Sequence, residues 1–144
     1  MPLQLIPPIH RTTHRIGLYL AATGESRLTQ GEAHILALLA ESGPATIGAL
    51  HEGLGHKRTT LTSILDRLVE RGLVTRTVGA ADRRTFVVTL TTKGEKAARR
   101  VHRDLAALER AVTARVSSQD VRGFLRVIAA VEHEARAAAS RDHG

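Results

Sequence analysis

The chain has 144 residues, enough to bury one hydrophobic core of ordinary size. It contains no cysteine, which excludes disulfides and thiolate metal ligands, and its aromatic residues are two Phe and one Tyr, which predicts an aliphatic core. No apolar run reaches the length of a membrane span, and the first residues do not resemble a signal peptide. We therefore expect a cytoplasmic protein without a membrane partner.

The net charge is +7, and its position along the chain is informative. The stretch from Lys57 to Arg103 holds twelve Lys and Arg against four Asp and Glu, whereas the rest of the chain is nearly balanced. Because a solvated face normally mixes both signs, this one-sided surplus predicts a polyanionic partner. A helix lying on a membrane surface is the competing interpretation, and the lack of Trp and Phe between residues 57 and 71 weakens it.

The first elements in chain order are an arm and a helix. The prolines of residues 1–8 predict a non-helical arm, whose apolar side chains we expect to pack on a partner subunit. A helix is predicted from Ile9 to about Ala22, ended by Gly24.

Two more helices are marked by their caps. Thr29 and Glu32 form a capping box in front of an almost wholly apolar helix that ends at Gly43. A shorter helix is predicted from Thr46, its N-cap, to about Gly53.

The stretch 54–90 contains the most informative pattern. Leucine and isoleucine recur at spacings of three and four between Leu61 and Leu68, which predicts a helix with one buried face, and Gly72 ends it. Two runs rich in Val and Thr, 73–78 and 85–90, then predict a hairpin with arginines at its tip. A helix followed by such a hairpin is a helix-turn-helix with a wing.

The exposed face of this helix carries hydroxyl and basic side chains that suit base edges and phosphates better than a core. We expect Arg58 to contact a guanine, and Lys57 and Arg67 to contact the DNA backbone. The residues expected to bind DNA from this helix are Lys57, Arg58, Thr59, Thr62, Ser63 and Arg67.

Two long amphipathic helices are predicted beyond the wing. Thr92 and Glu95 are expected to cap the first, Ser117 and Asp120 the second, and the tail from residue 137 is expected to fray. Since the winged helix is predicted to be complete without them, their apolar faces favour a second copy of the chain as partner. The expected dimer contacts are Leu105, Leu108, Val112, Phe124 and Ile128.

Three stretches resemble the MarR (multiple antibiotic resistance regulator) family of winged-helix transcription factors: LTQGEAHILALLAESGPATIGALHEGLG, TTLTSILDRLVERGLVTR and ADRRTFVVTLTTKGEK. The wing sequence, Asp82 to Arg84 followed by Leu90, Thr91 and Gly94, is the most specific part. The resemblance implies a homodimer whose N- and C-terminal helices form the dimer base. Each subunit would place its recognition helix in a major groove and its wing in the adjacent minor groove.

The expected fold class is mainly α, with six helices and a small two- or three-stranded β-wing. We divide the chain into an N-terminal part of the dimerisation lobe at residues 1–28, a winged-helix lobe at 29–91, and C-terminal dimerisation helices at 92–144.

The expected function is sequence-specific DNA-binding transcriptional regulation, as a ligand-responsive repressor that binds a pseudo-palindromic operator as a homodimer. Arg83 and Arg84 would enter the minor groove, and Asp82 would orient the wing. A small-molecule effector would bind beside His14, Arg15, Tyr19 and His34. The alternatives are a sequence-independent architectural DNA-binding protein and a winged-helix module for protein contact.

Catalysis, metals and cofactors are not expected. The chain has no nucleophile elbow, no phosphate-binding glycine loop and no HExxH motif. His10 and His14 stand four apart, a spacing that can hold a metal from one helix face, but no pattern completes a ligand set. Ordinary surface histidines are therefore favoured over a zinc site.

Overall fold

The structure is a computed structural model, and it describes residues 1–23, 27–55, 57–79 and 84–141. The helices in these ranges are α1 (Ile6–Thr23), α2 (Gln30–Ser42), α3 (Ile47–Leu54), α4 (Arg58–Glu70), α5 (Thr92–Thr113) and α6 (Ser118–Arg141). The strands are β1 (Ala45–Thr46), β2 (Val74–Val78) and β3 (Phe86–Leu90). The expected fold class, six helices with a small β-wing, is confirmed.

The chain forms two compact units, Met1–Leu105 and Ala106–Gly144, and α5 passes through the boundary between them. The first turns of α5 bury Ala97, Ala98 and Val101 in the core of the first unit. Residues 29–91 alone therefore do not supply the whole hydrophobic core of the winged helix. This differs from the expectation that the winged-helix lobe is complete without the C-terminal helices.

The core of the first unit is aliphatic, as the composition predicts. Its apolar side chains come from α2, α3 and α4, which contact one another and the sheet, together with residues of β2, β3, α1 and the start of α5. The largest fully buried side chains are Ile35, Leu36, Leu50, Leu61, Leu65, Leu68, Val74 and Val88. Burying each such side chain contributes about 1.5–3 kcal/mol of transfer free energy.

The helices α2 and α3 begin where the sequence predicts. The Thr29 hydroxyl accepts a hydrogen bond from the Glu32 N–H at 3.2 Å, and the Thr46 hydroxyl accepts one from the Ala49 N–H at 3.1 Å. Gly43 follows α2 with φ of 78°, a left-handed conformation that glycine adopts without steric cost.

The three strands form an antiparallel sheet in the order β1-β3-β2. In the hairpin, Val74 lies opposite Leu90 and Val78 lies opposite Phe86. On the other edge of β3, Ala45 lies opposite Val88. A strand of two residues is too short to show a periodicity of two, which is why the sequence left the choice between two and three strands open.

The ends of three helices differ from expectation. α1 begins at Ile6, not Ile9, because Pro7 and Pro8 lie in its first turn, where a missing N–H removes no hydrogen bond. α1 ends at Thr23, and Gly24 lies outside the described residues. α5 is capped by Thr91 rather than Thr92.

The Thr91 hydroxyl accepts a hydrogen bond from the Gly94 N–H at 3.0 Å, so the cap of α5 lies one residue earlier than predicted. At the other end of the chain, α6 continues to Arg141, whereas the sequence predicts fraying from residue 137.

The second unit contains the end of α5 and all of α6. Ser117 caps α6: its hydroxyl accepts from the Asp120 N–H at 3.1 Å, and the Asp120 carboxylate accepts from the Ser117 N–H at 2.9 Å. Hydrogen bonds from the Ser117 backbone and side chain lower the pKa of Asp120, because they favour its charged form. In the described part of the chain, no helix has an apolar stretch long enough to cross a bilayer.

Candidate nucleic-acid interface

Helix α4 presents one face to the core and the other to solvent. Leu61, Ile64, Leu65 and Leu68 are buried. The opposite face, which we call the recognition surface, consists of exposed residues of the first two turns: Arg58, Thr59, Thr62 and Ser63. The structure thus exposes the four residues of α4 that the sequence predicts to contact bases or adjacent phosphates.

The N-terminal end of α4 is not capped by the side chain of its own N-cap residue. Lys57 occupies the N-cap position with extended backbone angles, and its ammonium group cannot accept a hydrogen bond from the first turn. The first N–H groups of a helix point outward along its axis and carry partial positive charge. This end of α4 therefore combines backbone donors with the charges of Lys57 and Arg58.

Two hydroxyls of the recognition surface are oriented by their own helix. The Thr62 hydroxyl donates to the Arg58 carbonyl at 2.9 Å. The Ser63 hydroxyl accepts a hydrogen bond from Arg67 Nη1 at 3.1 Å. In these bonds the Thr62 hydroxyl acts as a donor and the Ser63 hydroxyl as an acceptor. Thr62 can therefore still accept a hydrogen bond from a ligand, and Ser63 can still donate one.

Glu32 of α2 is a buried carboxylate that the sequence pattern indicates only as part of a cap. Its side chain is 4% exposed and pairs with Arg67 of α4 and with Arg71, the residue that follows α4: Oε1 lies 3.4 Å from Arg67 Nε, and Oε2 lies 3.0 Å from Arg71 Nη1. The sequence did indicate that Glu32 would be buried, because its spacing places it on the same face of α2 as the buried Ile35, Leu36 and Leu39. Arg67, predicted to contact the DNA backbone, is thus held by a buried acid and is about half exposed.

A second ion pair joins α4 to the sheet. Arg76 Nη2 of β2 lies 2.7 Å from Asp66 Oδ1, with both side chains partly exposed. Exposed pairs of this kind contribute about 0–1 kcal/mol to stability. The larger effect of the Arg76–Asp66 pair is on the position of the hairpin, since the pair connects α4 with the first strand of the hairpin.

The C-terminal end of α4 is attached to the start of α5. The Arg71 carbonyl accepts a hydrogen bond from Lys93 Nζ at 3.0 Å, and the Gly72 carbonyl accepts one from the Thr91 hydroxyl at 2.7 Å. Gly72 has φ of 71°, which confirms it as the residue that ends the helix. The end of α4 is therefore fixed to its neighbours, whereas its beginning is open to solvent.

The described part of the wing includes Arg84, which is exposed just before β3. Asp82 and Arg83, predicted to orient the wing and to enter the minor groove, lie outside the described residues. At the loop end of the hairpin, the facing residues Val78 and Phe86 are both about half exposed.

The four residues proposed from sequence to border an effector site lie on α1 and α2. His14 and Arg15 are exposed, and His34 is half-buried. The Tyr19 hydroxyl donates to the Asp104 carbonyl at 2.9 Å, which connects α1 to α5. A groove of about 400 Å³ lies elsewhere, beside the α5–α6 turn.

The residues expected at a dimer interface fall into two groups. Leu105 packs against the core of the first unit, so part of its apolar surface is already covered within one chain. Leu108 and Ile128 are half-buried, while Val112 and Phe124 are 49% and 59% exposed. Among the described residues, no group of three His, Cys, Asp or Glu is arranged to hold a metal ion.

The fold and this surface define a class of protein. A helical motif with an exposed polar and basic helix, followed by an antiparallel hairpin, is the winged helix-turn-helix arrangement of DNA-binding proteins. Residues 28–86 match the model of the MarR family. This part of the chain is accordingly a MarR-family winged-helix domain, of the kind found in DNA-binding transcription regulators.

Solved structures share the fold over nearly the whole chain. The PcaV transcriptional regulator from Streptomyces coelicolor, solved with its natural ligand, is 21% identical, with a TM-score of 0.78 over 94% of this chain and 99% of that one. A probable transcriptional regulator from Pseudomonas aeruginosa is 23% identical, with a TM-score of 0.74 over 89% and 97%.

BpsR from Bordetella bronchiseptica, whose DNA binding is regulated by 6-hydroxynicotinic acid, is 18% identical, with a TM-score of 0.73 over 90% and 99%. No protein with a curated description matches the chain.

Proposed function

We propose that the protein is a ligand-responsive repressor that binds a pseudo-palindromic operator as a homodimer. The observation that carries this proposal is the recognition surface of α4, which is exposed, begins at an N-cap residue that makes no side-chain cap, and is followed along the chain by the exposed wing residue Arg84. A DNA target also implies a cytoplasmic location for the protein.

The recognition surface suits a major groove because it combines short hydroxyls with basic side chains. Arg58, the first residue of α4, is expected to donate two hydrogen bonds to one guanine, while Thr59, Thr62 and Ser63 contact bases or nearby phosphates. The uncapped N–H groups beside Lys57 are expected to bind a phosphate, as helix N-termini do.

The wing supplies the second contact. Arg84 is expected to enter the minor groove, where A·T-rich sequence concentrates negative potential, with Arg83 as its neighbour on the same loop. Asp82 is expected to hold the loop in place. The ion pair between Arg76 and Asp66 supports this arrangement, because it connects the hairpin to α4.

Dimerisation is supported by apolar side chains of the second unit that stay exposed in the described part of the chain. Helix α6 has no buried residue, although its apolar residues recur at helical spacing. The exposed large apolar residues of this unit are Val112, Val116, Phe124, Leu125 and Val127. A second copy of the chain is the simplest partner, since a twofold axis would let the same surface cover itself.

An effector is proposed on the example of PcaV and BpsR, for which small molecules are described. We place it beside His14, Arg15, Tyr19 and His34, which lie on the contacting helices α1 and α2. The Tyr19 hydroxyl already bonds the Asp104 carbonyl, so a ligand that competes for it would act on the contact between α1 and α5. Such a ligand alters DNA affinity only by binding the two states unequally.

Selection of bound fragments from a pool of random duplexes tests the proposal with the purified chain. The expected result is an inverted repeat with half-sites about 10 base pairs apart, because two symmetry-related helices would enter successive major grooves. Binding without enrichment of any sequence would instead indicate an architectural protein. Absence of DNA binding would refute the DNA-contact proposal and favour a module for protein contact.

The role of Arg58 is tested on the selected duplex. Arg58→Ala should weaken binding by about 10- to 100-fold, the value of one bidentate base contact. Arg136→Ala is the control, since it removes the same charge from an exposed pair on α6. Equal losses in both variants would contradict a base contact by Arg58.

A further inference from the structure

The carboxylate of Glu32 is buried and bonded to two arginines, although its role in a helix cap requires neither. A capping glutamate at the third position of a helix reaches back toward its own N-cap and normally stays in water. Here the residue is 3% exposed, and its two oxygens are divided between Arg67 of α4 and Arg71, the C-cap residue of α4. The hydroxyl of Thr29 also donates to Oε1 at 3.2 Å.

The position of this carboxylate relative to α4 is fixed by close packing. A Cβ atom built on Gly31 would lie 2.7 Å from Ile64 Cδ1, so the first turn of α2 is in direct contact with α4. Because core packing tolerates little movement, Glu32 meets the two guanidinium groups in a set position.

An ion pair and a hydrogen bond connect the core to the recognition surface through Arg67. Arg67 donates through Nε to Glu32 and through Nη1 to the Ser63 hydroxyl at 3.1 Å. Glu32 lies in the core, Arg67 is half exposed, and Ser63 is exposed. A residue of α2 thus orients a side chain that is expected to contact DNA.

We propose that Glu32 is a specificity-determining positioning residue, which holds Arg67, and through it Ser63, in the orientation that reads operator DNA. The proposal rests on the proposed function. Without the Glu32 charge, Arg67 would be released to pair with phosphates of any sequence, and phosphate contacts carry no base information.

Glu32→Gln tests this, since glutamine has nearly the same shape and lacks the charge. Affinity is measured over a range of salt concentrations for two labelled probes, a duplex obtained by selection and a duplex of mixed sequence. We expect the preference for the selected duplex to fall about tenfold, the effect of losing one well-placed contact. On the mixed duplex, the slope of log K against log salt should steepen by about 0.9, because the released Arg67 would neutralise one additional phosphate.

Glu132→Gln is the matched control. It changes the net charge equally and breaks a carboxylate–arginine pair of 3.0 Å, but that pair is exposed on α6. We expect it to leave both the preference and the salt slope unchanged. Equal shifts in the two variants would mean that net charge alone is responsible, and the proposal would be overturned.

A second variant makes the test independent of the folding of Glu32→Gln. Arg67→Gln removes the connection to Ser63 while Glu32 keeps Arg71. It should lose the same preference, and adding Glu32→Gln to it should change the preference by less than about twofold, because residues in one network are not additive. A further tenfold loss in the double variant would refute action through Arg67.

The outcomes also separate this inference from the proposed function. A wild-type protein with equal affinity for both probes would refute sequence-specific binding. The inference about Glu32 would be refuted by a wild-type protein that prefers the selected duplex and a folded Glu32→Gln variant that retains this preference.

Discussion

Replacing Gly94 with alanine tests the attachment of α5 to the end of α4. Gly94 is buried in the first turn of α5, and a Cβ atom built there would overlap the Leu73 carbonyl oxygen and lie 3.3 Å from Leu90 Cδ2. The same carbonyl accepts a hydrogen bond from the Thr91 N–H at 3.0 Å. An alanine at this position therefore has to move backbone rather than a flexible side chain.

The size of the effect follows from opposing contributions. In an unhindered helix, replacing glycine with alanine stabilises by about 1 kcal/mol. Against this, forced overlap in a packed site costs about 1–3 kcal/mol, and weakening the bond to the Leu73 carbonyl costs about 1–3 kcal/mol. We expect a net loss of about 3 kcal/mol, which lowers the Tm of a chain of this length by about 10 °C.

Thermal unfolding followed by circular dichroism, at one fixed protein concentration, measures this change. Gly48→Ala in α3 is the control, because the nearest atom to a Cβ there is Thr46 Oγ1 at 3.9 Å. That variant should raise the Tm by up to about 3 °C, as expected for a glycine in an open helical position. If Gly94→Ala melts at or above the wild-type temperature, the close approach of α5 to Leu73 is not a packing constraint.

Three further predictions concern the wing, the dimer and the cap of α6. Arg84→Ala should make the salt dependence of DNA binding shallower by about 0.9, and an unchanged slope would remove Arg84 from the interface. Val112→Asp combined with Phe124→Asp should give monomers in analytical ultracentrifugation, because both exposed apolar side chains are proposed dimer contacts; a dimeric double variant would refute that placement. Ser117→Ala should raise the pKa of Asp120 part of the way toward its ordinary value in an NMR titration, since the backbone N–H of residue 117 still donates to the carboxylate and only the hydroxyl bond is lost. Because folding lowers this pKa, the contribution of Asp120 to stability is present above its unfolded-state pKa and fades as pH falls through the folded-state pKa. In Ser117→Ala, stability should therefore depend less on pH in that acid range, and an Asp120 pKa that stays equally low would contradict the contribution of the Ser117 hydroxyl.

The sequence by itself determined the elements that depend on neighbouring residues. The spacing of leucines in α4, the caps at Thr29 and Thr46, and the glycine after α4 are local patterns, and the structure confirms them. The exposed face of α4 follows from the same pattern, because the residues that are not buried on a helix must face elsewhere.

Tertiary structure decided which distant groups meet. The pairing of Glu32 with Arg67 joins residues 35 positions apart, and β1 exists only because Ala45 and Thr46 lie beside β3. The apolar seam of α5 is likewise divided, with Val101 in the core of the first unit and Val112 exposed. Periodicity shows that a face is apolar or that an acid lies on it, but the partner that covers that face is set by the packing of elements remote in sequence.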